Sequence, residues 1–234
     1  MLGKFFYILL ALGFTIFGFS CKNTTNKPTS KPIELVKMDS FNFDADSAWV
    51  EASYPVFNDT LLNSKIQKQI LQYCKISLMT NDNSSLENAA KDFAKQGIDL
   101  RKEYPETPLG KFYAKIKINL HSLTDSLISM SMHAEYYMGG ELPIQNALGL
   151  NYVITKANFL PSNAIVQNEN ELHQLATVEI GKNQQVIQAP DSPTDKIAFS
   201  KDSIFLYYRG ADVSVEQIVE VRLPRSAVKT KPIK

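Results

Sequence analysis

Side chains suited to proton transfer, nucleophilic attack or metal ligation are few: the chain of 234 residues holds three His and two Cys. Imidazole is the first group to weigh for acid–base work or metal binding near neutral pH. His121 and His133 sit in two neighbouring runs of alternating polarity whose pairing sets them opposite Ser129 and Lys117, four residue pairs apart. At a rise of ~3.4 Å per residue they are too distant to share a metal. His173 has only Glu169 near it at ligand spacing. All three are expected to be surface histidines. No nucleophile elbow, His-Glu-x-x-His or Ser-x-x-Lys arrangement stands in a supporting context. No catalytic residue, metal site or cofactor is assigned, and Ser126 to Ser131 reads as the polar face of a strand.

Binding surfaces have better support. Tyr113 and Tyr137 are predicted to face one another beside Lys115, Lys117 and Glu135. Aromatic rings flanked by charges can anchor a protein partner or stack on a sugar, unless another helix or the N-terminal strands cover that face. The segment from Met138 to Asn146, with Gly139, Gly140 and Pro143, reads as a mobile rim, and its Glu141 would suit a cationic partner. Tyr113, Tyr137 and Glu141 are therefore the candidate ligand-binding residues.

These side chains depend on the elements that carry them. Phe112, Ala114, Ile116, Ile118 and Leu120 alternate with polar residues, as do Ile128, Met130, Met132, Ala134 and Tyr136. Period two over such a length predicts half-buried antiparallel strands, with Ile118 opposite Met132 and Lys115 opposite Glu135. Before them, Ile33–Met38 and Ala48–Val56 read as strands, Pro55 placing the end of the second near an edge or a turn. A helix is predicted from Asn58-Asp59-Thr60 to about Met79 on the stripe Leu62, Ile66, Ile70, Tyr73, Cys74, with Cys74 in the core. A second starts at Ser84 with a Ser-x-x-Glu box and ends at Tyr104-Pro105. After them come a strand through Leu148–Ile154, a helix from Asn168 to Ile180, and strands near 196–199, 203–208 and 218–224. Strand–helix–strand alternation is not expected. The fold class is α+β, helices on a largely antiparallel sheet.

The N-terminus sets the address. Phe5 to Ser20 runs without a charge behind Lys4, the shape of an export signal and short for a bilayer span of ~20 residues. Cys21 follows directly and resembles the lipidation site of bacterial lipoproteins. Residues 1–20 are read as signal peptide, 21–32 as a polar tether, 33–105 as a strand–helix–helix part, 106–228 as the sheet part with one helix, and 229–234 as a tail. Composition excludes other classes. With 25 Lys and Arg against 24 Asp and Glu there is no basic footprint for nucleic acid. A hydrophobic share of 44% excludes a disordered chain.

Three motifs carry a family likeness: Tyr54-Pro55-Val56 followed by Leu62-Asn63-Ser64-Lys65-Ile66; Glu135-Tyr136-Tyr137-Met138-Gly139-Gly140; and Phe199 to Tyr208 closed by Val219-Glu220-Val221-Arg222-Leu223-Pro224. In that order they resemble a family of bacterial envelope domains that includes the extracytoplasmic part of the lysozyme-sensing anti-sigma factor RsiV. The N-terminal region of PdaC-type peptidoglycan deacetylases is a further relative. The resemblance implies a non-catalytic, envelope-facing domain with, in one branch, a surface that binds lysozyme. With the lipid expected on Cys21 and no acidic run in Lys22-Asn23-Thr24-Thr25, the reading is a membrane-anchored, periplasm-facing protein whose partner is a lysozyme-like protein or peptidoglycan. The alternative is a cell-wall hydrolase or transferase, whose two carboxylates would have to stand roughly 5–10 Å apart.

Overall fold

The computed structural model describes residues 31–73, 85–106, 109–139, 142–182, 190, 194, 196–209 and 218–232. In chain order they form β1 (Leu35–Asp44), β2 (Ala48–Phe57), α1 (Thr60–Tyr73), α2 (Leu86–Glu103), β3 (Phe112–Leu123) and β4 (Leu127–Tyr137). Then follow β5 (Ile144–Val153), β6 (Asn158–Leu160), α3 (Glu169–Ile180), β7 (Ile197–Phe199), β8 (Ser203–Arg209) and β9 (Ile218–Pro224). Strands β1 to β6 make one sheet in sequence order, and β7 to β9 make a second. The class is α+β, as the alternating runs predict, and the first sheet draws on both sides of residue 105.

The β3–β4 register follows the hydrophobic pattern, with Ile118 opposite Met132, Lys115 opposite Glu135 and Tyr113 opposite Tyr137. A slip of one residue would turn every buried side chain to the other face. The ladder shifts between Leu120 and Ser122, so Ser122 rather than His121 pairs with Ser129, and His121 sits on the irregularity. That corrects the predicted partner of His121, because a bulge adds a residue that alternation alone does not reveal.

One strand pair departs from the antiparallel expectation. β2 runs parallel to β3, from Ala48 opposite Phe112 to Ser53 opposite Lys117. The crossover that parallel pairing demands is supplied by α1 and α2. The expected lack of strand–helix–strand alternation is thereby corrected: two helices in tandem hid the unit. Pro55 fits this arrangement. Ala45 N–H donates to Ala48 C=O at 2.9 Å, and alternation from that pair turns the Pro55 nitrogen toward the β3 side, beyond the last β2–β3 partners. Its missing donor therefore costs no ladder bond.

Helix α1 buries Leu62, Ile66 and Ile70 completely. Its start is fixed by the Asp59 carboxylate, which accepts from Leu62 N–H at 2.7 Å, and by Asn63, which bonds both N–H and C=O of Phe57. The predicted extension to Met79, and Cys74 with it, lies outside the described residues. Helix α2 is capped by Ser85, whose hydroxyl accepts from Asn88 N–H at 3.2 Å, one residue later than the Ser84 box predicts. The Glu87–Lys91 pair forms as spaced, at 2.6 Å. Ala90 and Phe93 join Ala114, Ile116, Met132 and Ala134 in the main core, and Gly97 lies against Phe112. Each large side chain so buried contributes ~1.5–3 kcal/mol, and Phe93 is among the largest fully buried here.

The opposite face of the sheet is shared between solvent and the second sheet. Ala198, Phe205 and Tyr207 point inward to it, whereas Ile197, Phe199, Leu206 and Tyr208 pack with Leu172, Ala176 and Ile180 of α3 on the far side. Period-two strands buried on both faces explain why β8 is almost continuously apolar. The inter-sheet joint is polar. Phe199 N–H donates to Ser129 Oγ, Ser129 Oγ–H to Asn151 Oδ1, and Asn151 Nδ2–H to the Ile197 carbonyl, each at 2.7 Å. Ser129 and Ser131 are thus buried, not the solvent-facing stripe expected of Ser126 to Ser131. Nothing local in a Ser-x-Ser run announces that a remote segment will cover it.

Candidate functional site

Three rows of side chains cross the first sheet where it runs out from under the second. The outermost joins Asp44, Trp49, Tyr113 and Tyr137 through direct strand partners. The middle row runs Asn42, Glu51, Lys115, Glu135, Gln145. The inner one runs Ser53, Lys117, His133, Ala147 and ends under the second sheet.

The outer row is an aromatic stack. Trp49 and Tyr113 lie 4.8 Å apart at 8° between planes, and Tyr113 and Tyr137 lie 5.9 Å apart at 22°. Both faces of the Tyr113 ring are therefore turned to a neighbouring ring. Tyr137 also lies against Gly110, where an added Cβ would come within 3.3 Å of its ring. Asp44 at the row's end is ion-paired with Lys111.

The middle row locks this stack to charge. Tyr113 donates its hydroxyl to Glu135 Oε1 at 2.7 Å, and Gln145 Nε2–H donates to Glu135 Oε2 at 2.9 Å. Loss of hydration and the Glu135 carboxylate together push the Tyr113 phenol up to about 12. Beside it lies an open cavity of about 350 Å³ bordered by Lys115, Lys117, His133, Glu135, Gln145 and Ile218. It offers two ammonium groups, one engaged carboxylate and an imidazole. Among the described residues no group of three or more His, Cys, Asp or Glu is placed to hold a metal.

His121 and His133 are not surface groups. His121 accepts from or donates to Ser131 Oγ at 2.8 Å and stacks on Phe205 at 4.4 Å. His133 meets the edge of Tyr207 at 5.2 Å. Both are half-buried between the sheets. Burial holds both imidazoles below their usual range, with His133 adding to the shift at His121; at His133 the pull of Glu220 opposes burial and Lys117 reinforces it.

Of the residues predicted to bind, Tyr113 and Tyr137 are brought together as expected, while Glu141 and Cys21 lie outside the described residues. Sequence reasoning misses Trp49, Glu51 and Gln145. Trp49 alternates with buried Ala48 and Val50, so its face is legible, but its place beside Tyr113 needs the parallel β2–β3 pairing.

Known structures share this architecture. A crystal structure of a DUF3298 family member from Bacteroides fragilis NCTC 9343 aligns with TM-score 0.60 and 18% identity, covering 84% of this chain and 95% of that one. A second, a DUF3298 family protein from Pseudomonas aeruginosa PAO1, aligns with TM-score 0.55 and 15% identity over 86% and 94%. The chain is similar in fold to both. Neither a family model nor a curated protein matches the sequence. DUF3298 denotes a domain of unknown function, so the likeness carries architecture and no activity.

Proposed function

We propose that the chain is a non-catalytic, lipid-anchored protein of the bacterial cell envelope, and that the open face of its first sheet binds a protein ligand. The observation that carries this reading is the Trp49–Tyr113–Tyr137 stack, half-buried and bordered by the Glu51–Lys115–Glu135–Gln145 row. Aromatic side chains fixed by their neighbours, with charges of both signs around them, have the composition of a protein-binding centre. A pyranose ring needs an open aromatic face. With both faces of Tyr113 taken, a sugar has only the outer faces of Trp49 and Tyr137 to stack on, and the charged row beside the stack favours a protein side chain. The export segment and Cys21 support the anchor, and the resemblance to the RsiV extracytoplasmic domain makes a lysozyme-type protein the first partner to test.

The experiment is a pull-down with the full chain on immobilised lysozyme and on insoluble peptidoglycan, repeated for Trp49→Ala and Tyr137→Ala. Retention on lysozyme, lost in both variants while their melting curves stay cooperative, supports the reading. Variants that bind as tightly as the parent would place the ligand elsewhere. The anchor is tested separately by mass spectrometry of the mature N-terminus, where an unmodified Cys21 or an intact Met1 would sink it.

A further inference from the structure

The first sheet begins at β1, which pairs with β2 alone among the described strands and so leaves one long edge open. Alternation from the Ala45–Ala48 bond turns the backbone N–H and C=O of Met38, Ser40, Asn42 and Asp44 away from β2. Such an edge is a template for another strand unless proline, charge or a cover blocks it. This one carries no proline. It is also apolar toward its N-terminal end. Of the ten large apolar side chains exposed among the described residues, three fall within four positions of β1: Leu35 at 40%, Val36 at 62% and Met38 at 50%. Single exposed apolar residues need no explanation, but a run along an open sheet edge does.

Charges on an edge either repel a second strand or select one, and their spacing decides. Lys37 and Asp39 bridge at 3.1 Å, and Asp39 Oδ1 also accepts from Ser40 N–H at 3.2 Å. Both are exposed contacts, worth little and readily exchanged. Suppose a second copy lies antiparallel along β1 with the outward backbone groups of the two strands facing each other. A two-fold axis must then pass through a residue, and the sequence limits which one. At Lys37 or Asp39, like charges meet across the axis. At Met38, Lys37 of each copy stands opposite Asp39 of the other, so both charges are matched twice. At the strand's remaining residues each charge falls opposite an apolar side chain or beyond the strand's end. The edge is self-complementary in one register.

We infer that β1 is a self-association edge: two copies of the chain pair antiparallel about a two-fold axis at Met38 and join their first sheets. Lys37 and the second copy's Asp39 form a non-hydrogen-bonded pair, the closer kind, with Cα atoms ~4.5 Å apart. Opposite charges so placed are favourable and like charges are not. The ladder runs from Val36 to Ser40. It stops there because the N–H and C=O of Glu34 are already bonded to Asn58, at 3.0 and 3.1 Å, and Glu34 would face Asn42 of the second copy. Asp44, which begins the aromatic row, lies beyond that ladder, so the association stands independently of the function proposed for the open face.

The test is disulfide trapping of the full chain, purified in detergent and oxidised mildly with copper phenanthroline. Met38 faces its own counterpart as a hydrogen-bonded pair with Cα atoms ~5.5 Å apart, within the range a disulfide spans. Met38→Cys therefore yields a dimer on a non-reducing gel. The parent, with Cys21 and Cys74, does not, nor does Asn42→Cys, which this register holds ~27 Å from its counterpart. Adding Lys37→Glu or Asp39→Lys to Met38→Cys sets like charges opposite one another and lowers the dimer fraction about tenfold. Mixing those two double variants restores it, because each then meets the opposite charge on the other. A bridge within one chain cannot produce that recovery. The inference is overturned if Met38→Cys gives no more dimer than the parent, if Asn42→Cys gives as much, or if the mixture stays as low as its components.

Discussion

The carbonyl oxygen of Ile197 stands over the Cα of Gly149 so closely that a Cβ built there would lie 1.7 Å from it. β7 thus crosses β5 backbone to backbone, and the second sheet docks only because that position has no side chain. Gly149 is held in the β4–β5 ladder, and Ile197 by its pairing with Leu206 and by Asn151 Nδ2–H on its carbonyl, which leaves little room for local adjustment.

Gly149→Ala should therefore separate the two sheets rather than strain them. Overpacking costs ~1–3 kcal/mol where neighbours can yield, and here the loss should reach the top of that range or beyond. Urea denaturation measures it; a loss below ~1 kcal/mol would mean that the sheets do not meet at this point.

Ser129→Ala tests the polar joint. It removes the acceptor of Phe199 N–H and the donor to Asn151, leaving buried groups unpaired at a cost of about 1–3 kcal/mol. Amide exchange at Phe199 should quicken alongside the fall in stability. Unchanged protection there would show that the bond does not hold the joint.

His121 and His133 make the same joint sensitive to acid. Their folded-state pKa values lie below the unfolded ones, so the unfolded chain binds protons first as pH falls. Their stabilising contribution is fully present above about 6.5 and is lost as pH drops through the depressed values. Melting temperature should fall on acidification below that point, and His121→Gln with His133→Gln should flatten the profile below about pH 6.5. An identical slope in the double variant would assign the effect to carboxylates instead.

Glu135→Gln should move the Tyr113 phenol. In the parent, loss of hydration raises it most and Glu135 adds to the rise, giving a value of about 12. Removing the negative charge brings it back toward, but not down to, the ordinary value of about 10. Titration of the ¹³Cζ resonance of labelled tyrosine reads this site directly. A resonance that titrates unchanged would contradict the Tyr113–Glu135 bond.

What the residues reveal by themselves divides along physical lines. Short-range periodicity fixes register within a hairpin, so Lys115–Glu135 and Tyr113–Tyr137 are legible in the alternation alone. The α3 boundaries are too, since Asn168 caps the helix and Leu172, Ala176 and Ile180 mark its face. Pairings that span long loops are not. Trp49 meets Tyr113 only through the crossover of α1 and α2, and Ser129 meets Phe199 across 70 residues. Burial of His121 and His133 depends on that second meeting, and alternation marks them as polar-face residues whichever surface ends up above them.

Trp49 is the chain's single tryptophan. Because it stacks on Tyr113 at 4.8 Å, within the aromatic row, its emission reports on that row and on no other part of the molecule. The protein carries its own optical probe: unlabelled fluorescence follows the first sheet through β2, stays blind to local opening of the α3 layer, and shifts on contact at the candidate surface.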